Sequence, residues 1–236
     1  MSHPEKFTVR DNGIELKNRY KGLSLLGVMM VAWDRLAAVC SVLFWTTIVR
    51  TRLHMLGCFC GPGLRVDGPV VIRAPRRDAI RIGCGVRINS RFRSNLVGLM
   101  TPTVLQCLGN GRITIGDHCG LSAAVLSARS CISVGKYVQI GGNVRIFDHD
   151  FHSLDYRVRR DPVRGWRECA TEPVFIGDDV FIGTNAIILK GVQIGERSVI
   201  GAGAVVALKE IPPDSLVVGN PARVLRRLSG SVANAG

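Results

Sequence analysis

Aliphatic residues recur at every sixth position in the last third of the chain. In "IGDDVFIGTNAIILKGVQIGERSVIGAG" (176–203), Ile176, Ile182, Ile188, Ile194 and Ile200 stand six apart, Val206 continues the series, and Gly177, Gly183, Gly195 and Gly201 each follow an isoleucine. A helix returns to one face after three, four or seven residues and a strand alternates at two, so neither explains a period of six. A coil with three flat sides does. Each side is a short strand, the aliphatic residue fills an inside corner, and coils stack at the inter-strand spacing of about 4.8 Å. The small residues that follow suit bends where positive φ or close backbone approach disfavours a Cβ.

The step runs back with interruptions. Leu64, Val70, Ile82 and Ile88 keep it, with Arg76 at one corner inside "RAPRRD", read as a turn. Residues 94–112 break the pattern, Ile115 and Leu121 restart it, and Val134, Ile140 and Ile146 follow after a one-residue shift. The stretch "FDHDFHSLDYRVRRDPVRGWRECATEP" (147–173) has a length compatible with the step, but its corner positions are His152, Val158, Arg164 and Ala170. That is no aliphatic series, so the segment is expected to loop out, and such departures mark the functional surface. The pattern predicts a mainly β molecule: a coil domain over 61–228 with a protruding loop at 147–173, a flexible tail at 229–236 and an N-terminal helical segment at 1–60.

Within that segment, "LSLLGVMMVAW" (23–33) and "LAAVCSVLFWTTIV" (36–49) are separated by Asp34-Arg35. Neither half reaches the roughly 20 residues that span a bilayer. A secretory signal is disfavoured by the long polar leader and the missing A-x-A site. A pair of helices is expected, lying in a membrane interface or packed on the coil or a subunit contact. Trp33, Phe44 and Trp45 beside Lys17, Arg19, Lys21, Arg50 and Arg52 favour peripheral membrane contact.

Composition adds three constraints. With 236 residues, 47% of them hydrophobic, the chain can bury a substantial core. Its eight cysteines are scattered rather than paired at metal spacings, which suits buried reduced thiols and a cytoplasmic location. The net charge of +13 calls for an anionic partner or a solvated face, and between Arg73 and Arg93 the only acid is Asp78. No aromatic interleaving or groove-reading motif points to nucleic acid.

With "IGDDVFIGTNAIILKGVQIGERSVIGAGAVV" followed by "IPPDSLVVGNPARVLRR", the chain resembles the hexapeptide-repeat acyltransferases, the family of maltose, galactoside and polysaccharide O-acetyltransferases. The resemblance covers about residues 61–228 and implies a left-handed parallel β-helix, against the usual right-handed crossover. It further implies a homotrimer with active sites between subunits, acetyl-coenzyme A as acyl donor, no metal, and a sugar or glycolipid acceptor. Such chemistry needs a base that accepts the acceptor's proton near neutral pH, which suits histidine.

The family's base often sits in an H-P-L-D-like segment after I-G-x-N-V. Here "IGGNVRIFDHDFHSLD" places His152 at the matching position, one residue later than the commonest spacing, and leaves His149 as the alternative. Asp148, Asp150 or Asp155 could hold the imidazole tautomer or contact a sugar hydroxyl, or simply form turns. Asn143 and Trp166 are candidates for the acceptor site. By the same resemblance Gly183, Gly201 and Ala202 would lie along the pantetheine arm, and Lys209 and Arg223 would meet the adenosine phosphates. Two rivals share the coil: a metal-dependent hydratase of the γ-carbonic-anhydrase type using His118, His149 and His152, and a xenobiotic acetyltransferase. A non-enzymatic scaffold is the third.

Overall fold

The computed structural model describes residues 22–228, so Lys17, Arg19, Lys21 and the tail at 229–236 lie outside the described residues. Short strands form three sheets that the chain visits in rotation, seven strands on the first face, eight on the second and six on the third. All strand pairs in the coil are parallel, and one buried aliphatic ladder runs up each face: Ile82, Ile115, Val134, Ile176, Ile194 and Ile211 on the first. Ile88, Leu121, Ile140, Ile182, Ile200 and Val217 form the second, and Ile72, Leu105, Leu126, Ile146, Ile188 and Val206 the third. The architecture is a left-handed parallel β-helix.

The glycines after the isoleucines serve stacking rather than unusual φ. A Cβ on Gly177 or Gly183 would lie 2.6 or 2.5 Å from a backbone nitrogen of the next coil. The left-handed backbone falls two residues later, at Asp179, Asn185 and Arg197, with φ of 56°, 59° and 58°. Asp and Asn tolerate that region well, which suits them to tight bends.

Two expectations need correction. The break at 94–112 is shorter than its sequence suggests: Thr103–Cys107 is a third-face strand with Leu105 buried in the ladder, so only about residues 91–102 loop out. The apolar segment is one continuous helix, Leu25–Met55, rather than two. Asp34 and Arg35 are tolerable in a helix interior, and neither Pro nor Gly stands between the halves to break it.

The chain divides into two compact units, Met1–Cys40 and Ser41–Gly236. In the second, the helical residues Ser41–Met55 cover the first coil. Val49 and Leu53 join the core, Thr46 Oγ1 accepts a hydrogen bond from Val66 N (2.9 Å), and Arg52 donates to the Ile72 carbonyl (3.0 Å). At the other end, Arg223–Arg227 folds back antiparallel on Ser215–Val218. All eight cysteines are free thiols, and burial pushes Cys107 up to about 12 and Cys119 up to about 11.

Candidate active site

The loop that departs after the third-face strand Arg145–Phe147 is tied at its base by Asp148. This side chain is fully buried, and its two oxygens accept the backbone N–H groups of Arg129 (2.8 Å) and Ser130 (2.7 Å) from the coil below. The same carboxylate stands 3.0 Å from His149 Nδ1. An acceptor there places the proton on Nδ1 and leaves the Nε2 lone pair free. The His149 ring is also 0% exposed, and Nε2 is buried with no hydrogen-bond partner. Phe151 packs against the ring at 4.7 Å and meets Phe147 edge-on.

The loop leaves and returns as a short antiparallel ribbon. His149 bridges Thr171, Asp150 N donates to the Ala170 carbonyl (2.9 Å), and Glu172 N donates to the Asp148 carbonyl (2.8 Å). Asp150 is ion-paired with Lys190 at 2.7 Å, and its second oxygen is buried without a partner. Two short helices, Tyr156–Arg159 and Pro162–Arg167, fill the loop, with Asp155 and Asp161 accepting from the free N–H groups of their first turns. Trp166 lies under the Arg129 guanidinium at 4.7 Å.

The predicted residues therefore separate. His149, Asp148 and Asp150 are brought together at the base of the loop, with Lys190. His152 is exposed and makes no hydrogen bond among the described residues, and Asp155 is a helix cap at the surface. Asn143 is committed elsewhere: its Oδ1 accepts from Met100 N and its Nδ2 donates to the Gly98 carbonyl, both at 2.9 Å, which pins the loop at 91–102.

That pinned loop walls a groove of about 400 Å³, lined by Asn95, Val97, Phe181, Thr184, Gly183, Gly201 and Ala202. Gly183, Gly201 and Ala202 thus share one surface. Arg223, exposed, pairs in register with Val218, the residue a Cβ on Gly201 would touch, so it stands at the groove's C-terminal end. Lys209 does not join them; it pairs with Glu172 at the loop's return. A second, more polar cavity of about 300 Å³ adjoins the groove, sharing Asn95, Gly141 and Phe181 and adding Arg87, Asn89, His118 and Gln139. His118 stacks on Tyr137 (5.0 Å) at a bend between the first and second faces, away from the loop's two histidines. Among the described residues, no group of three or more His, Cys, Asp or Glu could hold a metal ion.

The sequence reading missed this polar cavity and Lys190. The signal was present as polar residues at outward strand positions, Arg87, Asn89 and Gln139, but a solvated face gives the same pattern. Only the coil register puts them beside one another.

The groove lies where the second face turns into the third, at Gly141–Gly142, Gly183–Thr184 and Gly201–Ala202. His149 follows the third face, on the edge leading to the first, as do Lys190 and Lys209. One chain therefore presents groove and imidazole on different edges of the triangle.

The bacterial transferase hexapeptide (six repeats) profile matches residues 173–207. A Schizosaccharomyces pombe (strain 972) protein named as an acetyltransferase is 43% identical over 97 residues, 41% of this chain and 44% of its own length. YvoF of Bacillus subtilis, also named as an acetyltransferase, is 38% identical over 94 residues, 40% of this chain and 46% of its own. The chain thus spans less than half the length of these curated relatives. Among solved structures, a hexapeptide-repeat containing acetyltransferase of Vibrio cholerae is 30% identical with a TM-score of 0.51, covering 78% of this chain and 81% of that one. AntD, an N-acyltransferase from Bacillus cereus solved with dTDP and 3-hydroxybutyryl-CoA, is 19% identical with a TM-score of 0.60, covering 75% of this chain and 87% of its own, and shares the fold. This chain belongs to the hexapeptide-repeat acetyltransferase family.

Proposed function

We propose that the protein transfers an acetyl group from coenzyme A to a hydroxyl of a sugar in a cell-surface polysaccharide or lipid-linked glycan, with His149 as general base. The observation that carries this is the buried Nε2 of His149, unpartnered while Nδ1 is held by Asp148. A buried nitrogen left without a partner costs stability, so its presence in the fold calls for a role. His152, the sequence-based choice, lacks any orienting contact and is the second candidate.

Coenzyme A would lie in the groove along Gly183, Gly201 and Ala202, its phosphates toward Arg223. The hydroxyl would lose its proton to Nε2 as its oxygen attacks the thioester carbonyl. Collapse of the tetrahedral oxyanion breaks the C–S bond, and the proton passes from Nε2 to the departing thiolate, leaving ester and free coenzyme A. Phe151, exposed on the loop, must swing aside for the acceptor to reach the imidazole. Because groove and His149 occupy different edges of one prism, the reaction would use the groove of one copy and the histidine of the next, which a homotrimer supplies. The polar cavity beside the groove would seat the acceptor.

The test compares His149→Ala with His152→Ala, following coenzyme A release and acetyl mass gain on candidate lipid-linked saccharides. His149→Ala should lose about 10²- to 10⁴-fold in turnover while retaining coenzyme A binding, with His152→Ala within a few-fold of wild type. The reverse result transfers the role to His152. Full activity in both removes the histidine base.

A further inference from the structure

The helix over the first coil carries a surface that the chemistry above does not use. Within the second unit, Ser41, Trp45, Val49 and Leu53 step by four, and the last three meet the core. On the outward side Leu43, Phe44 and Met55 are 64%, 58% and 80% exposed. In the first unit, Leu25, Leu26, Met30, Trp33, Leu36 and Val39 are likewise exposed. An 18-residue window of this helix reaches a mean hydropathy of 1.7 with none of it buried. Helices this apolar are found in protein cores or in membranes, and most of this one is outside the core.

Charge identifies the partner. Residues 41–113 hold eleven arginines and two acids, Asp67 and Asp78. Both acids are occupied, Asp67 by Arg91 at 2.6 Å and Asp78 by Arg81 at 3.4 Å. Arg65, Arg73 and Arg77, on and just after the first coil, are exposed and make no ion pair among the described residues. Two copies joined end to end over the first coil would bring these like charges together, whereas lipid phosphates would neutralise them.

We propose that the helical residues Ser41–Met55 dock the protein on a lipid bilayer bearing anionic headgroups, with Leu43, Phe44 and Met55 among the acyl chains and Arg65, Arg73 and Arg77 at the phosphates. The device is independent of the reaction assigned to His149, since Leu43, Phe44, Met55, Arg65, Arg73 and Arg77 do not line the groove.

Flotation of the full chain tests it, using vesicles of phosphatidylcholine alone and with one third phosphatidylglycerol. The protein should float with the anionic vesicles, less so as salt rises, because screening weakens exposed charge contacts. At roughly fivefold per basic residue, the triple variant Arg65→Ala, Arg73→Ala, Arg77→Ala should weaken binding about a hundredfold. Leu43→Asp with Phe44→Asp should abolish it at an unchanged melting temperature; should that pair fail to fold, the arginine variant, outside the core, carries the test. Wild-type protein that stays at the bottom of the gradient with anionic vesicles at low salt overturns the proposal. So does a larger assembly in solution that the Leu43/Phe44 variant dissociates without changing vesicle binding, which would make a second copy the occupant.

Discussion

Replacing Asp148 by Asn separates the two tasks of that carboxylate. Three donors converge on its two oxygens: Arg129 N at 2.8 Å, Ser130 N at 2.7 Å and His149 Nδ1 at 3.0 Å. An amide offers one oxygen and one NH₂. If the oxygen stays on the Arg129 and His149 side, Ser130 N–H faces another donor. If it stays on the Ser130 side, the NH₂ faces Arg129 N–H and makes Nδ1 an acceptor, which moves the imidazole proton to Nε2 and removes the base.

Hydrogen bonds to a charged acceptor contribute about 1.5–3 kcal/mol each. Loss of one or two, partly compensated, gives about 2–4 kcal/mol of destabilisation, a fall of roughly 4–16 °C in Tm for a chain of this size. Turnover should fall about 10²- to 10⁴-fold, because the second orientation removes the base and the first leaves the imidazolium formed in the reaction facing a neutral amide; coenzyme A affinity should be kept, since Asp148 bonds to no residue lining the groove. Thermal melts, titration of coenzyme A binding and thiol release provide the three readouts. Wild-type turnover in a folded Asp148→Asn protein would refute the role of the pair, whatever the change in Tm.

Asn143→Ala should destabilise by about 1–3 kcal/mol, since Met100 N–H and the Gly98 carbonyl lose their partner. Cleavage between residues 95 and 101 under limited proteolysis should accelerate, and an unchanged digestion pattern would count against the pinning. Ala202→Trp should block coenzyme A binding with little change in Tm, because Ala202 is exposed in the groove; calorimetric titration decides it, and normal affinity would move the donor elsewhere. The Arg197 guanidinium, bonded to Asp214 at 2.7 and 2.9 Å, holds that carboxyl below its ordinary value of 3.8. A carboxyl lowered on folding stabilises above its unfolded value and loses that contribution as pH falls through the lower folded value. The Tm gap between wild type and Asp214→Asn should therefore be constant near neutrality and close below about pH 4. A gap that persists at the lowest pH would contradict this.

Much of the fold was legible because the six-residue step is local. From Ile176 to Val206 each ladder residue is fixed by its distance from the last, and the isoleucines fall where that spacing puts them. Leu105 was not legible, since the loop at 91–102 shifts the count and only pairing with Ile72 and Leu126 restores it. The single helix was missed for a similar reason: a charged pair reads as a boundary along the chain, yet in three dimensions it is two residues of a helix that continues.

The site shows the same division. Sequence alone determined the coil, its interruption at 147–173, two histidines inside that interruption and the family, because repeat spacing and motif order are properties of the chain itself. Only the tertiary structure separates the two histidines by environment. Asp148 is fixed by backbone groups nearly twenty residues earlier, and that long-range anchor buries and orients His149 while leaving His152 in solvent. It likewise decided that groove and imidazole stand on separate edges, because an edge exists only once the coils have stacked.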